Sequence, residues 1–262
     1  MSVPFHSDAF AAIVDAAAEL ARIASAAPLG AVQKADLSPV TAVDLAVNAF
    51  LSRELARLLP GSAWLSEESE DDRGRLDAEF LWIVDPIDGT KQLVAGIPEV
   101  AISIGLVAAG RVVAAAVANP MTGESGVWVH GAPPVFAGLE PRPLPPSLDA
   151  TEAIVSRSEA AEGALAGLET VVGSVRPVGS VAYKLLRVAA GADALTFSVR
   201  PKAEWDVCAG VGLVRASGGC YLRLDGNPVV FNQDDPRIPS GAVAGPEWLA
   251  LPLLGRLNAL LR

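Results

Sequence analysis

The stretch that decides the fold is residues 81–90, which read Leu-Trp-Ile-Val-Asp-Pro-Ile-Asp-Gly-Thr. The first four residues are apolar and predict a buried strand. The proline after Asp85 predicts that the strand stops there, because proline cannot donate to a ladder and disfavours helix before it. Asp88 followed by glycine predicts a tight turn. We therefore expect two carboxylates on a rigid loop at a strand end.

Two carboxylates three residues apart on a turn can face one point, where their mutual repulsion must be offset. A hard divalent cation offsets it well, and ligation by oxygen alone favours Mg²⁺, Mn²⁺ or Ca²⁺ over zinc. The backbone N–H groups that follow the turn suit an anion such as phosphate. An ordinary Asx turn after a strand fits the same ten residues, so this stretch by itself leaves both interpretations open.

Composition and charge exclude several classes of protein. The chain has 262 residues, of which 51% are apolar, and this predicts a globular protein with a sizeable core. A net charge of −10 argues against binding of a nucleic-acid polymer or an anionic membrane. A small phosphorylated substrate remains compatible if metal ions supply local positive charge.

Cysteine and histidine are scarce. The two cysteines form no CxxC motif, and His6 and His130 are most simply surface residues. A disulfide framework, a zinc site and a histidine-dependent triad are therefore poorly supported. The longest apolar run, Val100 to Ala118, is interrupted by Gly110 and predicts a hairpin, not a membrane span. With no signal-peptide pattern at the start, we expect a cytoplasmic protein without integral membrane association.

The order of elements predicts layered α and β structure. Six prolines within residues 131–147 predict an irregular surface crossover between an N-terminal half, 1–146, and a C-terminal half, 147–262, in one compact unit. Helices are expected over residues 8–27, 41–59, 159–168, 180–190, 205–217 and 246–261, and strands over 63–65, 153–156, 170–172, 194–199 and 220–224.

Three further acids follow element boundaries. Glu67 comes just after the strand at 63–65, as Asp85 follows its own strand. Asp44 lies in the first turn of a helix with Thr41 as N-cap, and taken alone it is a first-turn acid favoured by the helix dipole. Asp206 at another helix start has the same routine explanation, or it is a metal ligand presented from the second half.

Four separated pieces together resemble the inositol monophosphatase superfamily of Mg²⁺-dependent, lithium-sensitive phosphatases. Gly179-Ser180 and residues 190–193 also match in order, so the resemblance spans nearly the whole chain. It implies an α+β fold, a layered αβαβα sandwich. The four pieces are Asp36-Leu-Ser-Pro-Val-Thr-Ala-Val-Asp44, Ser66-Glu67-Glu68, Asp85-Pro-Ile-Asp-Gly-Thr90 and Trp205-Asp206-Val-Cys-Ala-Gly210.

The resemblance also implies roles for individual residues. Glu67, Asp85 and the carbonyl of Ile87 would hold one Mg²⁺, and Asp85, Asp88 and Asp206 the second, with up to three ions per site and Mn²⁺ able to substitute. Asp44 and Thr90, with Glu67, would be catalytic by orienting and deprotonating the attacking water. The amides of Gly89 and Thr90 would take the phosphate. Two metal ions can activate water and clamp the reacting oxygens without any histidine or cysteine.

Several sequence patterns resemble those of the 3'(2'),5'-bisphosphate nucleotidase (CysQ-type) branch. They are Asp36-x-Ser-Pro-Val-Thr, Ser66 before Glu67, Lys91 after the Asp-Gly-Thr triplet, and Lys184 in the helix after Gly179-Ser180. Inositol monophosphatases place a sugar-binding Glu seven residues before the Trp-Asp aspartate, where this chain has Val199 followed by Arg200. Residues 96–105, and Gln92-Leu93 where the nucleotidases have Glu-Phe, depart from that branch.

The resemblance thus implies a phosphomonoesterase that removes the 3'-phosphate of adenosine 3',5'-bisphosphate to give AMP. The alternative is an inositol-1-phosphate or broad sugar-phosphate phosphatase, and a remote one is a non-catalytic binding protein on the same fold. The only partner implied is a small phosphorylated substrate, and a monomer and a homodimer both remain open. The residues expected to bind substrate are Gly89, Thr90, Lys91, Gly179, Ser180, Lys184 and Arg200.

Overall fold

The computed structural model describes residues 3–34 and 39–261. Asp36 and the rest of segment 35–38, which carry part of the first motif, lie outside the described residues. The helices are α1 Ser7–Ala24, α2 Ala42–Leu58, α3 Thr90–Val94, α4 Arg157–Ala161, α5 Val181–Ala189, α6 Glu204–Ala216 and α7 Glu247–Leu260.

The strands form two large sheets and two minimal ones. The order in the six-stranded sheet is β3-β4-β5-β6-β7-β8, and in the five-stranded sheet β10-β9-β11-β15-β13, while β1 pairs with β2 and β12 with β14. The strands are β1 Val32–Gln33, β2 Pro39–Val40, β3 Ala63–Ser66, β4 Phe80–Asp88, β5 Ala101–Ala108, β6 Arg111–Ala118, β7 Ser125–Val129, β8 Val135–Ala137, β9 Glu152–Ser156, β10 Ser174–Val178, β11 Leu195–Ser198, β12 Lys202–Ala203, β13 Cys220–Arg223, β14 Arg237–Ile238 and β15 Ala242–Gly245.

Both faces of each large sheet are apolar and are covered by helices, so helices and sheets alternate in five layers. One face of the six-stranded sheet packs on α1 and α2, where Phe10 and Leu51 meet Trp82. Its other face packs on α5 and α6, which also contact the five-stranded sheet. On the far side of that second sheet, α7 buries residues such as Leu253 against Phe197. The expected layered αβαβα sandwich is confirmed.

Strand β4 differs from the expectation that it ends at Asp85. It continues to Asp88, with Asp85 opposite Ser103 and Asp88 opposite Ala101 on β5. Three steps along β4 therefore face two along β5, which is a β-bulge that contains Pro86. The bulge accommodates the proline's missing donor without ending the strand, and it changes the direction of the carboxylates.

Three other predictions in the middle of the chain were wrong. The helix expected over 159–168 is only the five-residue α4, because Gly163 and Gly167 adopt positive φ angles of 72° and 81° and end regular structure. The strand expected at 170–172 is a 3₁₀ turn, and the strand β10 begins at Ser174. Residues 131–147 are not wholly irregular, since β8 extends the sheet beside β7.

Other boundaries agree with expectation. Thr41 is the N-cap of α2, and residues 100–118 form the β5–β6 hairpin. His6 and His130 are both exposed, and Cys208 is fully buried. In the described ranges, no helix combines the length and the hydropathy needed to cross a membrane.

Candidate active site

Three carboxylates converge where the two large sheets meet through α6. Oxygen atoms of Glu67, Asp85 and Asp206 all lie within 4.8 Å of one another. Strands β3 and β4 are parallel neighbours, so Glu67 just after β3 and Asp85 near the end of β4 reach the same edge. The Glu67 amide donates to the carbonyl of Val84 at 3.3 Å, which fixes this edge. Helix α6 presents Asp206 from its first turn.

Asp88 is held by the second half of the chain. Its Oδ2 accepts hydrogen bonds from Ser180 Oγ at 2.8 Å and from the Ala182 amide at 2.6 Å. Both donors lie at the start of α5. Because two donors fix this one oxygen, the orientation of the whole carboxylate is set by residues more than ninety positions away in the chain.

The electrostatics of these acids are unfavourable without a cation. Burial, followed by the charge of Glu67, raises the pKa of Asp85 well above its ordinary value. Burial and the charge of Asp88 raise the pKa of Asp206 to about 7. Burial also raises the pKa values of Glu67 and Asp88. Convergent carboxylates with only oxygen donors fit a hard divalent ion, which would relieve this repulsion.

Thr90 and Asp44 form a second arrangement beside the carboxylates. Thr90 Oγ1 lies 2.8 Å from Asp44 Oδ1 and 3.0 Å from the carbonyl oxygen of Ile87. The other oxygen of Asp44 accepts from the amide of Thr41 at 2.9 Å and from its hydroxyl. Asp44 is thus both the capping acid of α2 and the hydrogen-bond partner of Thr90, and its catalytic role stays a prediction.

Gly89 shapes the turn that leads to Thr90. It adopts a φ of 101° as the N-cap of α3, and a Cβ at this position would lie 2.9 Å from the carbonyl oxygen of Glu99. Glu99 also accepts from the Gly179 amide at 2.6 Å and from Arg157. The backbone of Glu99 thus packs against Gly89, while its carboxylate, which sequence reasoning missed, holds the Gly179–Ser180 turn.

Lys34 is a second residue that the sequence did not assign to the site. Its Nζ lies 2.8 Å from Glu67 Oε1 and also pairs with Glu68. Burial lowers the pKa of this ammonium, but the hydrogen bonds with the two glutamates outweigh it and raise the pKa overall. The only available signal was a basic residue just before the Asp36 motif.

The basic residues expected at the substrate differ in their surroundings. Lys184 is only 3% exposed, and its Nζ donates to the carbonyls of Ser180 at 2.6 Å and Val178 at 3.1 Å. Arg200 is exposed and pairs with Glu162, which is itself exposed. Lys91 is exposed at the start of α3.

Lys202, whose simplest interpretation from sequence is surface charge, is 12% exposed at its side chain and lies 2.8 Å from Glu159. Glu159 also accepts from the amide of Val199 at 2.9 Å. The buried carboxylate of Glu159 thus lies beside Val199 and is neutralised by Lys202.

Comparison with known proteins shows the family of the chain. A model of the inositol monophosphatase family matches residues 4–253. The chain belongs to the inositol monophosphatase family. It is a phosphatase of that family, whose members are generally Mg²⁺-dependent, and the carboxylate cluster is able to hold such an ion.

Its relatives divide between two activities. A 3'-phosphoadenosine 5'-phosphate phosphatase from Mycobacterium leprae is 34% identical over 215 residues, which cover 75% of this chain and 74% of the relative. An inositol-1-monophosphatase, ImpA, from Mycolicibacterium smegmatis is 34% identical over 212 residues, which cover 76% and 74%. CysQ from Bacteroides thetaiotaomicron superposes with a TM-score of 0.75 at 28% identity, covering 93% of this chain and 98% of the other.

Proposed function

We propose that this phosphatase hydrolyses the 3'-phosphate of adenosine 3',5'-bisphosphate. The observation that carries the proposal is the segment before Asp206, where the position of a free sugar-binding carboxylate is Val199 and two basic residues follow. A carboxylate beside Val199 belongs to Glu159, which accepts hydrogen bonds from Lys202, Ser198 and the Val199 amide. Among the described residues, a neutral polyol therefore lacks the carboxylate acceptor at this position, whereas a second phosphate meets the guanidinium of Arg200.

Arg200 is the cation that a second phosphate would engage. Its present partner, Glu162, is exposed, and exposed ion pairs contribute only about 0–1 kcal/mol. Exchanging that carboxylate for a doubly charged phosphate costs little and provides bidentate geometry. Lys202 is not available in this way, because its partner Glu159 is buried.

The proposed chemistry follows from the site. Bound Mg²⁺, two ions per site in this proposal and held by Glu67, Asp85, Asp88, Asp206 and the Ile87 carbonyl, would activate water and neutralise charge on the phosphoryl oxygens. The hydroxyl of Thr90, which donates to Asp44, would orient that water and pass its proton towards Asp44, and the amides of Gly89 and Thr90 would hold the phosphate.

A competing activity is hydrolysis of inositol-1-phosphate. One of the three relatives just described is named an inositol-1-monophosphatase, and residues 96–105 resemble the corresponding segment of inositol monophosphatases. Phosphate release should be compared between adenosine 3',5'-bisphosphate and inositol-1-phosphate at equal concentration, with Mg²⁺ or Mn²⁺ and with and without lithium. A clear preference for the nucleotide supports the proposal, and an equal or greater rate with inositol-1-phosphate contradicts it.

Arg200→Ala sharpens the comparison. We expect about a tenfold loss of kcat/KM on the bisphosphate, equivalent to roughly 1.4 kcal/mol, and little change on adenosine 3'-monophosphate, which lacks the second phosphate. Arg256→Ala is the matched control, because Arg256 also forms a partly exposed ion pair, with Asp149. Equal losses on both substrates would show that Arg200 does not contact the second phosphate.

A further inference from the structure

Lys184 lies in an environment that does not favour a cation. It is buried, and its ammonium folds back to the first turn of its own helix, α5, where the helix dipole is positive. Burial lowers its pKa to about 8, although the nearby charge of Asp88 acts in the opposite direction. Because burial and the helix dipole both disfavour its positive charge, the ammonium of Lys184 needs compensating contacts. The partners in those contacts indicate the role of the residue.

The contacts of Lys184 are with backbone, at the turn that enters α5. Its Nζ donates to the carbonyls of Val178 and Ser180, on either side of Gly179. Ser180 has a φ of 54° and a ψ of 126°, a conformation that is unfavourable for a residue with a side chain. The ammonium thus bridges the two carbonyls of a strained turn and holds it in place.

The same turn orients Asp88. Ser180 Oγ and the Ala182 amide are the two donors on Asp88 Oδ2. Gly179 cannot carry a side chain without contact, since a Cβ would lie 2.5 Å from Gln92 Cγ, so the turn is also packed tightly from the other side. Small movements of Ser180 are therefore transmitted to the carboxylate.

We propose that Lys184 is a positioning residue, which fixes the Gly179–Ser180 turn through two carbonyls and so sets the direction of the Asp88 carboxylate. This differs from direct substrate binding by Lys184. It depends on Asp88 being a metal ligand, and it is independent of which phosphorylated substrate is hydrolysed. A test without substrate therefore separates its failure from failure of the proposed nucleotidase activity.

The test is a double-mutant cycle read out as Mn²⁺ affinity. The wild type, Lys184→Met, Ser180→Ala and the double variant are titrated with Mn²⁺ by calorimetry in the absence of substrate. Loss of the lysine charge changes Mn²⁺ affinity by the same factor whether residue 180 is Ser or Ala, so this effect cancels in the cycle. The coupling energy between Lys184 and Ser180 therefore reports the hydrogen-bonded turn. We expect Ser180→Ala to weaken Mn²⁺ binding about tenfold in the wild type and less than twofold in the Lys184→Met background.

Equal effects of Ser180→Ala in both backgrounds would overturn the proposal. Leu185→Met, a substitution of similar volume in the next residue of α5, is the control for packing and should leave Mn²⁺ affinity unchanged. If Lys184→Met fails to fold, Lys184→Leu, which likewise has no N–H donor for the turn, replaces it in the cycle. An increase in substrate KM with unchanged Mn²⁺ coupling would assign Lys184 to the substrate and refute the positioning role.

Discussion

Asp88→Asn separates the chemistry of the site from the stability of the fold. The asparagine carbonyl oxygen can keep the hydrogen bonds from Ser180 Oγ and the Ala182 amide, at 2.8 Å and 2.6 Å. The negative charge is lost, and an amide group takes the place of the second oxygen. We therefore expect the fold to persist while the affinity of the site for a divalent cation falls.

The magnitude follows from Coulomb's law. At an effective dielectric constant of about 20, two unit charges about 4 Å apart interact by roughly 4 kcal/mol, so a doubly charged ion and one carboxylate interact by roughly 8 kcal/mol. If about a third of this, roughly 2.7 kcal/mol, survives rearrangement of the remaining ligands, Mg²⁺-dependent kcat/KM falls about a hundredfold. Without metal, the variant should melt at the same temperature as the wild type or higher, because one of several repelling charges has been removed.

The assay is phosphate release as a function of Mg²⁺ concentration, with thermal unfolding in a chelator measured on the same samples. Asp193→Asn is the matched control, since Asp193 is a buried acid outside the cluster that pairs with Arg187 at 2.6 Å. It should lower the melting temperature and leave the Mg²⁺ dependence unchanged. Near-normal turnover and normal Mg²⁺ dependence in Asp88→Asn would refute the assignment of Asp88 as a metal ligand.

Two further predictions concern the attacking water beside Thr90 and the protonation of Asp206. Thr90→Val keeps the shape but removes the hydroxyl 2.8 Å from Asp44, so kcat should fall about a hundredfold in steady-state kinetics, and Thr90→Ser should restore most of it; equal losses in both variants would contradict the relay. Because the pKa of Asp206 is raised to about 7, the metal-free folded chain binds more protons than the unfolded chain between the ordinary and the raised value. The free energy of unfolding without metal should therefore decrease as pH rises from the ordinary to the raised pKa of Asp206. Calorimetry should show a larger stabilisation by Mg²⁺ at about pH 8 than at about pH 5.5. A larger stabilisation at about pH 5.5 would argue that Asp206 is not protonated in the metal-free fold.

The parts of this fold that sequence predicts are those set by local pattern. The strand before Asp85, the helix capped by Thr41 and the 100–118 hairpin all follow from apolar periodicity and turn residues. Where glycine or proline interrupts a pattern, local rules can predict an end that does not occur or a helix that does not extend as far. Pro86 is absorbed by a bulge instead of ending its strand, and Gly163 shortens a helix that its neighbours favour.

The site was less predictable where it depends on distant contacts. The acids could be nominated because each follows an element boundary, but their convergence depends on strand order. The hydrogen bond from Ser180 to Asp88 spans 92 residues and the pair of Lys34 with Glu67 spans 33. No local pattern specifies such partners, so neither Lys34 nor the structural contacts of Lys184 could be deduced from sequence.

Three acids of the candidate site lie at helix N-termini, which explains why the same side chains fit both a capping role and a role in the site. Asp44 caps α2 through the amide of Thr41, and Asp206 accepts from the amide of Ala203 at the start of α6 at 2.9 Å. Asp88 accepts from the Ala182 amide at the start of α5. An acid at a helix N-terminus is favoured by the dipole by about 0.3–1 kcal/mol, and by more when partly buried. Three helices thus aim their positive ends at one region and oppose, without cancelling, the burial that raises the pKa of Asp206 and Asp88. The capping contacts therefore fix the orientation of Asp44 and of the proposed metal ligands Asp88 and Asp206, and we expect loss of a cap to weaken cation binding before it unfolds the helix.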